Sequence, residues 1–149
     1  MDNQTFVLDV MRRQGAADAQ ATAAGAASGA LDGTQIIAAQ LTIPTWRPRD
    51  YSAVPVGTPY QWDGQVYKLW QQHNATGQDN WSPDQAVSLW DVCHTTDPKL
   101  AKPYVQSQGA RGTYQTGECC IFGGQVWRSL IDNNSFNPAD YPAGWEVIE

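Results

Sequence analysis

The segment Gly57-Thr58-Pro59-Tyr60-Gln61-Trp62-Asp63-Gly64-Gln65-Val66-Tyr67-Lys68 recurs as Gly117-Glu118-Cys119-Cys120-Ile121-Phe122-Gly123-Gly124-Gln125-Val126-Trp127-Arg128, at a constant offset of 60 residues. Trp62 falls on Phe122, Gly64 on Gly124, Gln65-Val66 on Gln125-Val126, Tyr67 on Trp127 and Lys68 on Arg128. Further along the offset becomes 55: Trp81 meets Phe136, Pro83 meets Pro138, and Trp90 meets Trp145. One loop shortened by five residues accounts for the change. Aromatic on aromatic, glycine on glycine and proline on proline in one order marks a duplicated supersecondary unit, and the chain must fold as two copies of it.

Each unit predicts a hairpin. Asp63-Gly64 and Gly123-Gly124 suit a two-residue type I′ turn, whose central positions both need positive φ. Side chains alternate along a strand. Tyr60, Trp62, Gln65, Tyr67 and Leu69 therefore share one face, with Gln61, Val66, Lys68 and Trp70 on the other. In the second unit Cys120, Phe122, Gln125 and Trp127 oppose Cys119, Ile121, Val126, Arg128 and Leu130. Both faces carry apolar groups, more than so small a unit buries alone, so some should stay exposed or join the two units. The expectation is a mainly β chain: two small antiparallel sheet modules, over residues 46–98 and 99–149, after an α-helical arm over 1–45.

That arm is set apart by composition. All seven Trp and all six Tyr lie at or after Trp46, and Phe6 is the one aromatic before it. Phe6, Val7, Val10 and Met11 have the spacing of one helical face, with Arg12 and Arg13 following and Gly15 as the expected stop. Residues 16–30 are mostly Ala, Ser and Gly, which suits a tether or, packed against copies of itself, an oligomeric stalk. Leu31-Asp32-Gly33-Thr34 reads as a turn, Gln35–Gln40 as a short helix or strand, and Pro44 and Pro48 around Trp46 as an extended connector.

Charge and composition exclude several functions. The net charge is −6 and the nine Lys and Arg are scattered. Nucleic-acid affinity comes largely from neutralised phosphates, so no nucleic acid is expected as partner. An anionic membrane surface is disfavoured for the same reason, and no apolar run approaches the roughly 20 residues of a membrane span. The first residues lack the basic, then apolar, pattern of a secretory signal, so synthesis and assembly in the cytoplasm are expected. Cys93, Cys119 and Cys120 are odd in number, which argues against a disulfide framework. Vicinal Cys119 and Cys120 point to opposite faces of a strand and suit a tetrahedral metal poorly, so buried reduced thiols are expected, with no metal and no cofactor.

The order Gly, hairpin, Gly-x-Val-Tyr/Trp, Asn/Pro-rich loop and closing Trp resembles the chitin- and cellulose-binding modules of carbohydrate-binding families 5 and 12, over residues 51–92 and 104–148. That resemblance implies small sheet modules that stack sugar rings on surface aromatics. Cys119-Cys120 departs from the aliphatic residue usual there. The whole chain also resembles small proteins encoded in the virion-structural regions of bacteriophages and prophages of Gram-positive bacteria. The matching pieces are Leu31-Asp32-Gly33-Thr34-Gln35-Ile36-Ile37, Val92-Cys93-His94-Thr95-Thr96-Asp97-Pro98, Gly117-Glu118-Cys119-Cys120, and Asp132-Asn133-Asn134 with the stretch from Pro138 to Trp145. The implied role is a tail or fibre protein on the virion.

Together these give an expected non-enzyme that binds a cell-surface polysaccharide for host attachment, beside other virion proteins and as a homo-oligomer, a trimer by analogy with fibres. The alternative is a structural or decoration protein whose modules contact neighbouring subunits. Candidate ligand residues are Trp62, Trp70, Trp81, Phe122, Phe136, Asn133 and Asn134. A pyranose offers a face of C–H groups that an aromatic ring accepts as its area leaves water, and polar neighbours fix orientation. Trp81 and Phe136 serve equally as platform or loop anchor, Trp62 and Phe122 as core cap or sugar contact, and Trp70 as inter-unit contact. Trp90, Trp145, Tyr67 and Trp127 read as core. Gln72, His73, Asn74, Asn80 and Asp132 suit sugar hydroxyls by type, or loop capping. A glycosidase needs two carboxylates about 5 to 9.5 Å apart, and the repeated positions hold none.

Overall fold

The computed structural model describes the backbone of residues 3–148 and the side chains of residues 13–148. Helix α1 runs from Asn3 to Ala27. Gly15 does not stop it, because the flanking Ala residues carry the helix through a glycine that costs only about 1 kcal/mol. The stop is Gly29, at φ 79. Ala30 N donates to Gly25 O and Gly29 N to Ala26 O, the paired bonds of a Schellman cap. Gly25 is bare where the chain turns back: a Cβ there would lie 2.8 Å from Leu31. Whether Phe6, Val7, Val10 and Met11 form a face lies outside the described side chains. Helix α2 spans Gly33–Ala38, with Asp32 and Gln35 forming a reciprocal capping box.

Two sheets follow. The first holds β1 (Pro59–Trp62), β2 (Gln65–Leu69) and β3 (Trp90–Val92); the second holds β4 (Lys102–Pro103), β5 (Cys119–Phe122), β6 (Gln125–Ser129) and β7 (Trp145–Ile148). The strands hold 27 residues and the two helices 31, so the mainly β expectation is met only in part. The repeat is carried into the register. Tyr60 pairs with Tyr67 as Cys120 pairs with Trp127, and Leu69 pairs with Trp90 as Ser129 pairs with Trp145. Asp63 at φ 48 with Gly64 at φ 78, and Gly123 at φ 61 with Gly124 at φ 78, make the two hairpin turns.

The second sheet is mixed rather than antiparallel, because β4 runs parallel to β5. The same strand-like pass precedes the first hairpin, where Thr45 bridges Gln61 in parallel. Each unit therefore begins before its hairpin. Trp46 N donates to Gln61 O as Tyr104 N donates to Ile121 O. Trp46 meets Trp62 edge-on at 5.3 Å, and Tyr104 meets Phe122 at 6.0 Å. Tyr51 and Tyr114 complete the correspondence, each edge-on at 5.2 Å to its closing tryptophan, Trp90 or Trp145.

One face of the first sheet packs Tyr60, Tyr67 and Leu69 against Trp46, Tyr51 and Trp90. The arm covers the other. Ala26, Ile36, Ile37 and Ile43 bury Val66 and Cys93. Residues 19, 22, 23 and 26 of α1, all part-buried or buried, form an i, i+3, i+4, i+7 stripe of small side chains that brings the helix close, and 25 and 27 at its end are part-buried as well. Gly57 stands where that approach is tightest: its φ is 93, and a Cβ would lie 3.1 Å from Ala27 Cα. Among the described residues the corresponding face of the second sheet has no equivalent cover, with Ile121 exposed and Val126 and Ile148 half-buried.

Candidate functional site

The two units meet along residues 93–98. His94 stacks on Tyr114 with ring centroids 3.7 Å apart, and its Nε2 lies 2.8 Å from Gly112 O. Burial holds the imidazole neutral, at a pKa of about 4. Thr95 O accepts from Cys119 N, and Thr96 N donates to Thr34 Oγ1 at 2.8 Å. The Leu31–Ile37 and Val92–Pro98 stretches, far apart in sequence, are thus two sides of one contact.

Arg111 pins the seam from the second unit. Its Nη1 donates to Asp91 Oδ1 at 2.7 Å and its Nη2 to Val87 O at 3.0 Å, while its guanidinium lies over the Trp70 ring at 4.8 Å. Trp70 therefore takes part in the inter-unit contact, although it remains 49% exposed. Beside this clamp a cleft of about 300 Å³ opens between the units, with Tyr67, Asp84 and Trp90 on one side and Tyr104, Gln108 and Arg111 on the other. Sequence reasoning missed Tyr104, Gln108 and Arg111, because they precede the part of the second unit that aligns in sequence, and the match of Tyr104 to Trp46 is visible only in the hydrogen bonding. Tyr67, read as core, is 5% exposed, and that remainder borders the cleft.

Apart from Trp70, the candidate ligand residues divide into three groups. Trp62 and Phe122 are half-buried and cap their units' cores. Asn134 is buried outright: its Nδ2 donates to Ser129 Oγ and Gly144 O, and its Oδ1 accepts from Phe136 N. It holds the loop that presents Phe136 and has no surface to offer a ligand. Asn133 occupies the left-handed region at φ 52, and its N–H donates to Gln115. Trp81 and Phe136 form the third group, at equivalent positions and 37% and 49% exposed. Phe136 is joined by Tyr141, 39% exposed, with ring centroids 5.5 Å apart. Sequence reasoning passed over Tyr141 because its counterpart in the first unit is Ala86.

The loops differ in how they are latched. Trp145 Nε1 donates to Phe136 O at 3.0 Å, whereas the Trp90 indole, beneath a loop five residues longer, is buried without a hydrogen-bond partner among the described residues. Most of the polar candidates fasten loops. Gln72 donates to Val54 O, Asn74 accepts from Thr76 N, and Asp132 accepts from Thr116 N. The acids and bases near the seam are also engaged, with Asp91 on Arg111 and Glu118 accepting from Gln115 N. Burial raises the Glu118 carboxyl and pushes the Cys93 and Cys120 thiols up to about 12. All three cysteines are free and buried. Among the described residues no three His, Cys, Asp or Glu side chains come together as a metal site, and no helix is long and apolar enough to cross a membrane.

No protein-family model matches the chain, and no curated protein matches its sequence. The resemblance to carbohydrate-binding families 5 and 12 rests on the residues quoted above.

Proposed function

We propose that this chain is a non-catalytic carbohydrate-binding protein, and that it serves on a bacteriophage virion to hold a cell-surface polysaccharide of the host. One observation carries the reading. Two copies of a module place an exposed aromatic ring, Trp81 or Phe136, at the same point of the same loop, and the second adds Tyr141 beside it. Exposed rings cost solvation, and a repeated, loop-braced pair suits stacking on sugar faces. The engagement of Asp91 and Glu118 within the chain supports binding without chemistry. The virion assignment rests on the two motifs that dock through Thr34 and Thr96. The test is a glycan array of bacterial surface polysaccharides probed with the intact protein and with Phe136→Ala/Tyr141→Ala. The intact protein should bind a defined subset and the variant should lose it; equal retention of both would contradict the reading.

The uncovered back of the second sheet favours a second reading. Ile121, Val126 and Ile148 adjoin there in register, where the first sheet has an isoleucine-rich cover. A virion neighbour seated on that face would make the protein a structural or decoration subunit, and the same array would then stay blank.

A further inference from the structure

The inter-unit cleft has features that the exposed rings lack. It measures about 300 Å³, the lower end of small-ligand sites. Tyr67 and Trp90 come from the first unit and Tyr104 from the second, so the cleft exists only when both modules are in place. Tyr67 is 5% exposed, and that remainder borders the cleft. Asp84 takes Ser82 Oγ on Oδ1 at 2.5 Å, which leaves Oδ2 without a described partner. The Gln108 side chain is exposed at the mouth of the cleft. The Tyr67 phenol reaches the cleft, and the exposed Asp84 carboxylate and Gln108 amide add an acceptor and a donor–acceptor pair to its lining.

Charge selects among ligands. Arg111 is the cation of the cleft, and its guanidinium is already spent on Asp91, Val87 O and the Trp70 ring. Asp84 remains as an uncompensated negative charge. An anionic ligand, whether a uronate, a phosphate or a peptide carboxylate, would meet repulsion without a free counter-charge. A neutral polyol meets aromatic and aliphatic walls for its C–H groups and acceptors for its hydroxyls.

We propose that the cleft between the two units is a subsite for one or two neutral pyranose rings of a polysaccharide, bound by Tyr67, Tyr104, Asp84 and Gln108. This inference rests on the carbohydrate-binding reading and adds to it a site built jointly by both modules. The exposed rings then act as outlying platforms along the same chain of sugars. Because the site is shared, a ligand in it favours the docked arrangement of the units by binding only that state.

The test is amide and side-chain NMR of the intact protein, titrated with cellotetraose, chitotetraose and tetragalacturonate. Signals of Tyr67, Tyr104, Asp84 and Gln108 should shift with a neutral tetrasaccharide and stay unmoved by the uronate. Asp84→Asn, which keeps the size of the side chain, should weaken the cleft response about tenfold. Gln108→Trp, at an exposed position on the cleft mouth, should abolish it while leaving shifts at Phe136 and Tyr141. Shifts confined to Trp81, Phe136 and Tyr141 would overturn the cleft assignment and leave the carbohydrate reading standing. No shift anywhere would overturn both, and a response to the uronate in preference to the neutral sugars would overturn the charge argument.

Discussion

Gly33 lies against the carbonyl oxygen of His94 so closely that a Cβ at Gly33 would sit 2.2 Å from it. Helix α2 can dock on the seam only if its first residue is bare. Gly33→Ala should therefore force the backbones apart and cost roughly 2 to 3 kcal/mol, as overpacking does. Thermal denaturation should show a fall in Tm of roughly 5–10 °C. Gly15, in the interior of α1 with nothing within 4 Å of its Cβ position, is the control. Gly15→Ala should be neutral or gain up to about 1 kcal/mol in helix propensity. Equal effects of the two changes would remove the close-approach argument.

His94 makes stability depend on pH. Its pKa falls from 6.5 to about 4 because burial against Tyr114 penalises the imidazolium, with the Gly112 carbonyl as a smaller opposing influence. The unfolded chain takes up a proton near 6.5 and the folded one does not, so this contribution is complete above pH 6.5. It is lost as the pH falls from 6.5 toward 4, and amounts to about 3 kcal/mol in all. Urea denaturation at a series of pH values should show that slope, and His94→Asn should flatten it over the same window. An unchanged slope in the variant would place the titration elsewhere.

Arg111→Lys keeps the charge but loses the planar fork that reaches Asp91 and Val87 O together and lies flat on Trp70. The expected cost is about 1 to 2 kcal/mol, and amide exchange should quicken at residues 87–92 and 104–112 before it does in β1 and β2. Uniform quickening throughout the chain would mean that the clamp does not localise the seam.

The arm has two parts. Residues 22–43 are fixed to the first sheet, whereas 13–18 are exposed. We expect self-association, as a trimer, to reside in the residues before Ala17. Light scattering should find the full chain oligomeric and a chain beginning at Ala17 monomeric but still folded. Two monomers would leave docking on another virion protein as the role of this segment.

The two hairpins were legible because a turn with positive φ at both central residues admits few sequences, and Asp63-Gly64 and Gly123-Gly124 are among them. The face pairing followed from alternation alone. What could not be read was the partner of each face. Val66 looks the same in sequence whether a sugar, a second unit or Ile36 and Ile37 covers it. The parallel pass of β4 was equally hidden, since two residues ending in Pro103 carry no period. Asn134 misled for a related reason: an Asn in a loop suits a ligand or an internal bond equally, and only its burial against Ser129 and Gly144 decides. Among the candidate platforms, the repeat located Trp81 and Phe136, but it concealed Tyr141, which the duplication does not share.

Affinity electrophoresis through gels containing host cell-wall polysaccharide, run beside a reducing-end assay on the same material, tests the central claim most directly. The intact protein should be retarded weakly and reversibly, unaffected by EDTA, while no new reducing ends appear. Trp81→Ala/Phe136→Ala/Tyr141→Ala changes surface rings and should fold as the parent does, yet lose most of its retardation, keeping only what the inter-unit cleft supplies. Retardation undiminished by the triple change, or release of reducing ends by the intact protein, would contradict the account.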